Sequence, residues 1–206
     1  MKYIIGSDEV GYGAWAGPLI VCAVAVPAGW AGPPELDDSK AFKSASEKVE
    51  RAILYGKLQD LPMFLACIGN EVIDQFGIKA ALVRAHGAAL NNLLQRFPDA
   101  EVIVDGIVPI PEVPQARCIP RADGLYPAVM AASVIAKVNR DFLMRQYHTT
   151  YPHYGFDTNV GYGGGKKHAH TLGLQKHGVC PLHRRSCGPI KAALLAQRQI
   201  NLFEES

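Results

Sequence analysis

The chain has 206 residues, 49% of them hydrophobic, which is enough to bury one sizeable core and suits a single domain with a small C-terminal appendage. No apolar run reaches membrane-spanning length and residues 1–6 lack the basic start and cleavage site of a secretory signal, so a cytoplasmic protein, expected to be a monomer, is the reading and a membrane protein is excluded. A net charge of +2 does not announce a nucleic-acid binder, and five scattered cysteines argue against a disulfide framework and for reduced packing residues.

Residues 2–7 read as a strand, and its apolar run Tyr3-Ile4-Ile5 leads into Ser7-Asp8-Glu9-Val10-Gly11-Tyr12-Gly13. Two adjacent carboxylates entering a glycine-rich turn are one way a buried strand presents metal ligands. Side chains alternate across a strand, so Asp8 and Glu9 should diverge unless the pleat breaks, and Gly6, Gly11 and Gly13 permit a break. Residues 18–27, bounded by Pro18 and Pro27, read as a second strand, and 28–34 as a Gly and Pro loop. Ser44-Ala45-Ser46-Glu47 has the spacing of a capping box, predicting a helix to about Gln59. Residues 63–68 read as a strand. Ala81, Leu82, Ala85, Ala89, Leu93 and Leu94 recur at helical spacing, predicting one long helix over 78–97 that Pro98 stops.

Strand 101–105 follows. Its run Val102-Ile103-Val104 ends at Asp105-Gly106, the form of a buried strand whose acid emerges at its end. A connection rich in proline (Pro109, Pro111, Pro114, Pro120) leads to Arg121-Ala122-Asp123-Gly124. Pro127 then opens a helix with Met130, Val134, Ile135, Val138 and Phe142 as its apolar face. Asp141 stands one turn from both Lys137 and Arg145, which explains it structurally, whereas Asp123 has no such partner in sequence. The layout is α/β, without internal repeats. If Asp8, Glu9, Asp105 and Asp123 converge, their like charges require a counter-cation, and Mg2+ or Mn2+ suits an all-oxygen site. From Arg117 onward basic residues outnumber acidic ones by roughly two to one, with Lys166, Lys167, Lys176, Arg184, Arg185 and Lys191 near the end, a pattern that describes a polyanion groove beside a metal site.

In this order the motifs resemble those of the type 2 ribonucleases H, the ribonuclease HII family. The matching segments are Asp8-Glu9-Val10-Gly11-Tyr12-Gly13 followed by Gly17-Pro18, then Asp38-Ser39-Lys40, the Asp105-Gly106 strand end, and Asp123 before 131–141. Gly161-Tyr162-Gly163 and His183-Arg184-Arg185-Ser186 complete the set. The resemblance implies a ribonuclease H-like mixed sheet flanked by helices over residues 1–190, with a substrate-contacting segment 150–190, and a C-terminal helix and tail over 191–206. It implies that Asp8, Glu9, Asp105 and Asp123 hold two divalent ions, Mg2+ or Mn2+, which activate water and stabilise the leaving 3′ oxygen, so that the RNA strand of an RNA/DNA hybrid is cut to a 5′-phosphate and a 3′-hydroxyl. Substrate contacts are implied at Gly11, Tyr12, Gly13, Ser39, Lys40, Lys137, Tyr162 and Arg184.

Two departures bear on the substrate. The family's Gly-Arg-Gly turn is here Gly11-Tyr12-Gly13, which replaces a phosphate-gripping cation by a ring that can stack, so hybrid cleavage is expected ahead of incision at a lone embedded ribonucleotide. Ala14-Trp15 replaces the more usual Pro-Leu, and glycines around Tyr162 predict a mobile substrate-contacting loop. Two alternatives stay open: a ribonuclease H-like DNA endonuclease, and a zinc-stabilised binding module on His177, Cys180, His183 and Cys187. Gln199-Ile200-Asn201-Leu202-Phe203 resembles the bacterial sliding-clamp-binding peptide, with Leu202 and Phe203 as apolar anchors and Gln199 setting register.

Overall fold

The computed structural model describes residues 1–36 and 45–204, with the backbone alone for 45–48, 198 and 200–204. Ser39, Lys40 and the capping serine Ser44 therefore lie outside the described residues. The strands are β1 (Tyr3–Val10), β2 (Leu19–Pro27), β3 (Met63–Ile68), β4 (Glu101–Asp105) and β5 (Arg117–Ile119), in the sheet order β3-β2-β1-β4-β5. β1 runs antiparallel to β2 and parallel to β4, and β4 parallel to β5. The helices are α1 (Ala45–Leu58), α2 (Asn70–Phe76), α3 (Ile78–Leu94), α4 (Pro127–Thr150), α5 (Phe156–Asn159), α6 (Ala169–His177) and α7 (Gly188–Glu204). This is the mixed sheet with flanking helices that the resemblance implied.

The chain forms two compact units. The first holds Met1–Val10, Ile20–Cys67 and Leu82–Asn139, and the second holds Gly11–Leu19, Ile68–Ala81 and Arg140–Ser206. In the first, one sheet face is sealed by Cys22, Val24 and Val26 of β2 against Leu54 and Leu58 of α1 and Ala128, Ala131, Ala132 and Ile135 of α4. The run of alanines on α4 is what lets that helix lie close. At Gly6 the approach is tightest: a Cβ there would stand 2.3 Å from the Ala128 carbonyl carbon, so only glycine fits beneath the helix. The second unit packs Ala16, Met144, Tyr154, Phe156, Val160 and Cys180 together.

Several boundaries differ from the sequence reading. Asp8 and Glu9 lie inside β1, not after it, because β1 stays paired with β2 through Val10↔Ile20. The expected helix 78–97 ends at Leu94, and Gly77, at φ +82°, separates it from α2, which the sequence periodicity did not suggest. β5, three residues inside the proline-rich connection, also went unread. Phe142 is 59% exposed and does not belong to an apolar face. Arg140 and Met144, each two residues away and so on the opposite side of α4, are buried, as is Asp141. Residues 199–203 continue α7, because Ala192-Ala193-Leu194-Leu195-Ala196 carries the helix toward them.

Candidate active site

In the first unit, three chain segments bring acids to the same end of the sheet. β1 and β4 run parallel in the register Ser7↔Val104, so Asp8 and Asp105 follow one residue beyond the last paired position. Asp8 projects to the α4 side. Two residues of strand advance about 7 Å and five of helix about 7.5 Å, so the contact of Gly6 with Ala128 leads on to one of Asp8 with Ser133. Asp105 Oδ1 accepts the Ala122 N–H at 2.6 Å, which ties β4 to the short 3-10 turn Ala122–Gly124 carrying Asp123. That turn starts from Arg121 in the left-handed region (φ 60°), a conformation that costs a non-glycine residue about 1 kcal/mol or more.

Asp8 and, in part, Asp105 are withdrawn from water and feel the like charges of neighbouring acids. Burial pushes the Asp8 carboxyl up to about 8, with a hydrogen bond from Ser133 opposing and the charges of Glu9 and Asp105 adding to the rise. Burial likewise raises Asp105, and Asp123 and Glu9 contribute like charge. Glu9 behaves differently. The pleat is unbroken, so it points to the other sheet face, where Glu9 Oε2 stands 3.7 Å from His86 Nε2 of α3. Its N–H nevertheless donates to Asp8 Oδ1 at 2.7 Å. Among the described residues no three His, Cys, Asp or Glu side chains are gathered tightly enough to enclose a metal ion.

In the second unit, the turn after β1 is built on two buried arginines. Arg140, fully buried, donates Nε to the Pro18 carbonyl, Nη1 to Val160 and Nη2 to Ala16. Gly11, at φ +90°, sits so close that a Cβ would fall 2.3 Å from Arg140 Nε. Arg184, 3% exposed, donates Nε to the Gly17 carbonyl and Nη1 to that of Tyr12. Burial and Arg140 lower Arg184 to about 10, still cationic at neutral pH. Gly11 N–H donates to the Tyr162 hydroxyl at 3.1 Å, so Tyr162 and the glycine turn meet, while Tyr12 and Gly13 face solvent. Lys137 lies half-buried one turn beyond Ser133.

The loop around Tyr162 is pinned, contrary to the expectation of a mobile segment. Trp15 and Ala16 N–H both donate to the Gly161 carbonyl, and a Cβ on Gly163 would fall 2.0 Å from the Trp15 indole. Glycine is there for close passage past Trp15. A pair of buried histidines holds the same loop. His170 Nδ1 bonds the Tyr162 carbonyl at 3.0 Å and so carries its proton, leaving Nε2 to accept. His183 Nε2, 3.0 Å away, must then be the donor, while its Nδ1 accepts the Cys180 N–H. Burial lowers both histidines, His183 to about 4 with His170 contributing.

Sequence reasoning missed Ser7, His86, Arg140, Ser133 and the His170–His183 pair. A buried arginine or histidine reads as an ordinary polar position in sequence, and nothing in its spacing names a partner, whether 13 residues away as for His170 and His183 or 79 as for Ser7 and His86. His177 stacks on His153 with ring centroids 3.9 Å apart, and His183 is bound to His170, so the histidines of the zinc alternative are already engaged elsewhere.

Residues 5–187 match the family model of ribonuclease HII. The chain is 36% identical over 202 residues to ribonuclease HII of Listeria monocytogenes, covering 97% of this chain and 73% of that protein. It is 40% identical over 192 residues to ribonuclease HII of Dichelobacter nodosus, covering 93% and 97%. In fold it is similar to the crystal structure of ribonuclease H2 from Pyrococcus horikoshii (TM-score 0.75, 23% identity, covering 95% and 99%). It is also similar to the ribonuclease HII in a complex with PCNA from Archaeoglobus fulgidus (TM-score 0.67, 22% identity, 89% and 92%) and to Bst-RNase HIII in complex with Mn2+ (TM-score 0.68, 20% identity, 96% and 70%). With the family's motifs in order along a ribonuclease H-like sheet, the chain belongs to the ribonuclease HII family, metal-dependent endonucleases that cleave the RNA of RNA/DNA hybrids.

Proposed function

We propose that Asp8, Glu9, Asp105 and Asp123 hold two divalent cations, Mg2+ or Mn2+, and that hydrolysis of the hybrid's RNA strand there leaves a 5′-phosphate and a 3′-hydroxyl. The reading rests above all on Asp8: a buried carboxyl pushed up to about 8 among further acids lacks a positive charge, and a hard cation taken up by oxygen donors supplies it. The Mn2+ held by Bst-RNase HIII is a precedent within the fold. When bound, the ions activate the attacking water and stabilise the leaving oxygen. The protein's own part is to hold the acids: Ser133 orients Asp8, and Ala122 N–H orients Asp105.

Substrate contacts are assigned to Gly11, Tyr12, Gly13 and Tyr162, with Lys137, Ser39 and Lys40 placed by their motifs. The exposed Tyr12 ring offers a stacking surface, and the glycine turn lets main-chain groups approach a 2′-hydroxyl. Arg184, buried and bonded to the Tyr12 carbonyl, supports this turn as a positioning residue. Residues 1–190 would make up the catalytic part, including segment 150–190, and 191–206 the appendage. The test compares all-DNA, RNA/DNA, RNA/RNA and single-ribonucleotide duplexes under Mg2+ and Mn2+. Wild type should cut the hybrid, and Asp105→Asn should lose that cleavage nearly completely while binding the hybrid as before; wild-type turnover by Asp105→Asn would refute the assignment.

The same reading extends to a partner. Gln199, Ile200, Leu202 and Phe203 would bind a bacterial sliding clamp, as the Archaeoglobus protein binds PCNA, once the last turn of α7 opens. Deleting 199–206 should leave hydrolysis of short hybrids unchanged and abolish retention on immobilised bacterial clamp. Equal retention of both proteins, or none of either, would rule it out.

A further inference from the structure

The first unit also buries a polar pair that no ligand role accounts for. Ser7 and His86 are 0% and 1% exposed, and Ser7 Oγ lies 2.8 Å from His86 Nδ1. The Ser7 hydroxyl donates to the Cys22 carbonyl at 3.0 Å. Its one proton is thereby used, so the bond to the ring is donated by His86 Nδ1. This fixes the imidazole, and its other nitrogen, Nε2, which bears an N–H only in the doubly protonated ring, faces Glu9 Oε2 at 3.7 Å. The strand pleat accounts for the geometry. Ser7 and Glu9 are two residues apart on one face of β1, about 7 Å along the strand, and an imidazole on α3 spans that gap with a nitrogen toward each. Packing alone would not select this pair, because the neighbouring buried positions of α3 are Leu82, Ala85, Ala89 and Leu90 and a buried polar pair costs desolvation.

We infer that His86, anchored by Ser7, is a positioning residue for Glu9, setting the orientation of that carboxylate on the α3 side of β1 and with it the metal affinity of the site. This rests on the proposed role of Glu9 as a ligand. At 3.7 Å the contact is longer than a hydrogen bond, so a small rotation of Glu9 closes or opens it, and the fixed ring limits the carboxylate's range. Outer partners of metal-holding groups act in this way on affinity.

Calorimetric titration of Mn2+ into the full chain without nucleic acid tests this, alongside kcat and KM on a hybrid and the melting temperature. Glutamine at position 86 can place an amide nitrogen where Nε2 stands, whereas asparagine reproduces only Nδ1. His86→Asn and His86→Met should bind Mn2+ about tenfold more weakly, with hybrid KM unchanged and kcat restored by excess metal, and His86→Gln should stay within about threefold of wild type. A purely structural role would instead order the variants by melting temperature and leave metal affinity alone. Glu9→Gln separates the two ideas: if it binds Mn2+ like wild type, the ligand reading falls and the inference with it. If Glu9→Gln is weak but His86→Asn and His86→Met match wild type, only the positioning inference is overturned. Should the His86 variants fail to fold, Ser7→Ala, which keeps the ring but removes its anchor together with the bond to the Cys22 carbonyl, is expected to bind Mn2+ several-fold more weakly, and wild-type affinity there also overturns it.

Discussion

Replacing Asp8 by Asn should make the metal-free protein more stable, by an amount that grows with pH. The Asp8 carboxyl rises from 3.8 to about 8 on folding, and at 5% exposure it has little solvent to screen it. For a carboxyl raised in the folded state, the unfolded chain loses its proton first as pH increases. The native state then binds more protons, and stability falls between pH 4 and 8, levelling off above. A tenfold change in proton affinity is worth about 1.4 kcal/mol, so the charge costs about 4 kcal/mol at pH 7 and about 6 kcal/mol at most. Asparagine keeps the shape, an oxygen for the Glu9 N–H and a group for Ser133, so most of this should appear as a gain. Urea unfolding in chelator from pH 4 to 8.5 measures it: the two proteins should converge near pH 4 and diverge steadily toward pH 8, with the variant more stable. Added Mg2+ should narrow the gap, because only a protein that binds the ion gains from it. A difference independent of pH, or a wild type that is more stable throughout, would refute the reasoning.

Three further outcomes are expected. His183, lowered from 6.5 to about 4, should stay neutral at pH 5 with its proton on Nε2, which nitrogen chemical shifts report; stability present above pH 6.5 should be lost toward pH 4, by about 3 kcal/mol, and this slope should be absent in His183→Asn. Gly11→Ala should cost about 2 kcal/mol or more and raise KM for hybrid, since its Cβ meets Arg140 Nε in a left-handed backbone; unchanged melting temperature and KM would contradict that geometry. Tyr12→Arg should raise cutting at a single embedded ribonucleotide relative to a long hybrid, by returning a cation to the exposed turn, and an unchanged ratio would remove Tyr12 from the readout.

The family and the order of the main strands and helices were legible in the chain before any fold was known, and the four acids stood out there as candidates. Local pattern is enough for those: β-branched and aliphatic runs make β2 and β4, alanine and leucine at helical spacing make α3, and Asp8, Glu9 and Asp105 end or interrupt apolar runs where a charge is conspicuous. Short or interrupted pieces such as α2 and β5 were not legible, because seven or three residues carry too little periodicity to stand out from a loop. Which side of the sheet each acid faces was settled by tertiary pairing. An unbroken β1, held to β2 through Val10, sends Asp8 to α4 and Glu9 to His86, and that depends on pairing with a distant strand. Ser7 with His86, Arg140 with three carbonyls, and His170 with His183 were likewise invisible in the sequence. A buried polar side chain is stable only where a partner meets it, and that partner is chosen by the fold, not by spacing along the chain.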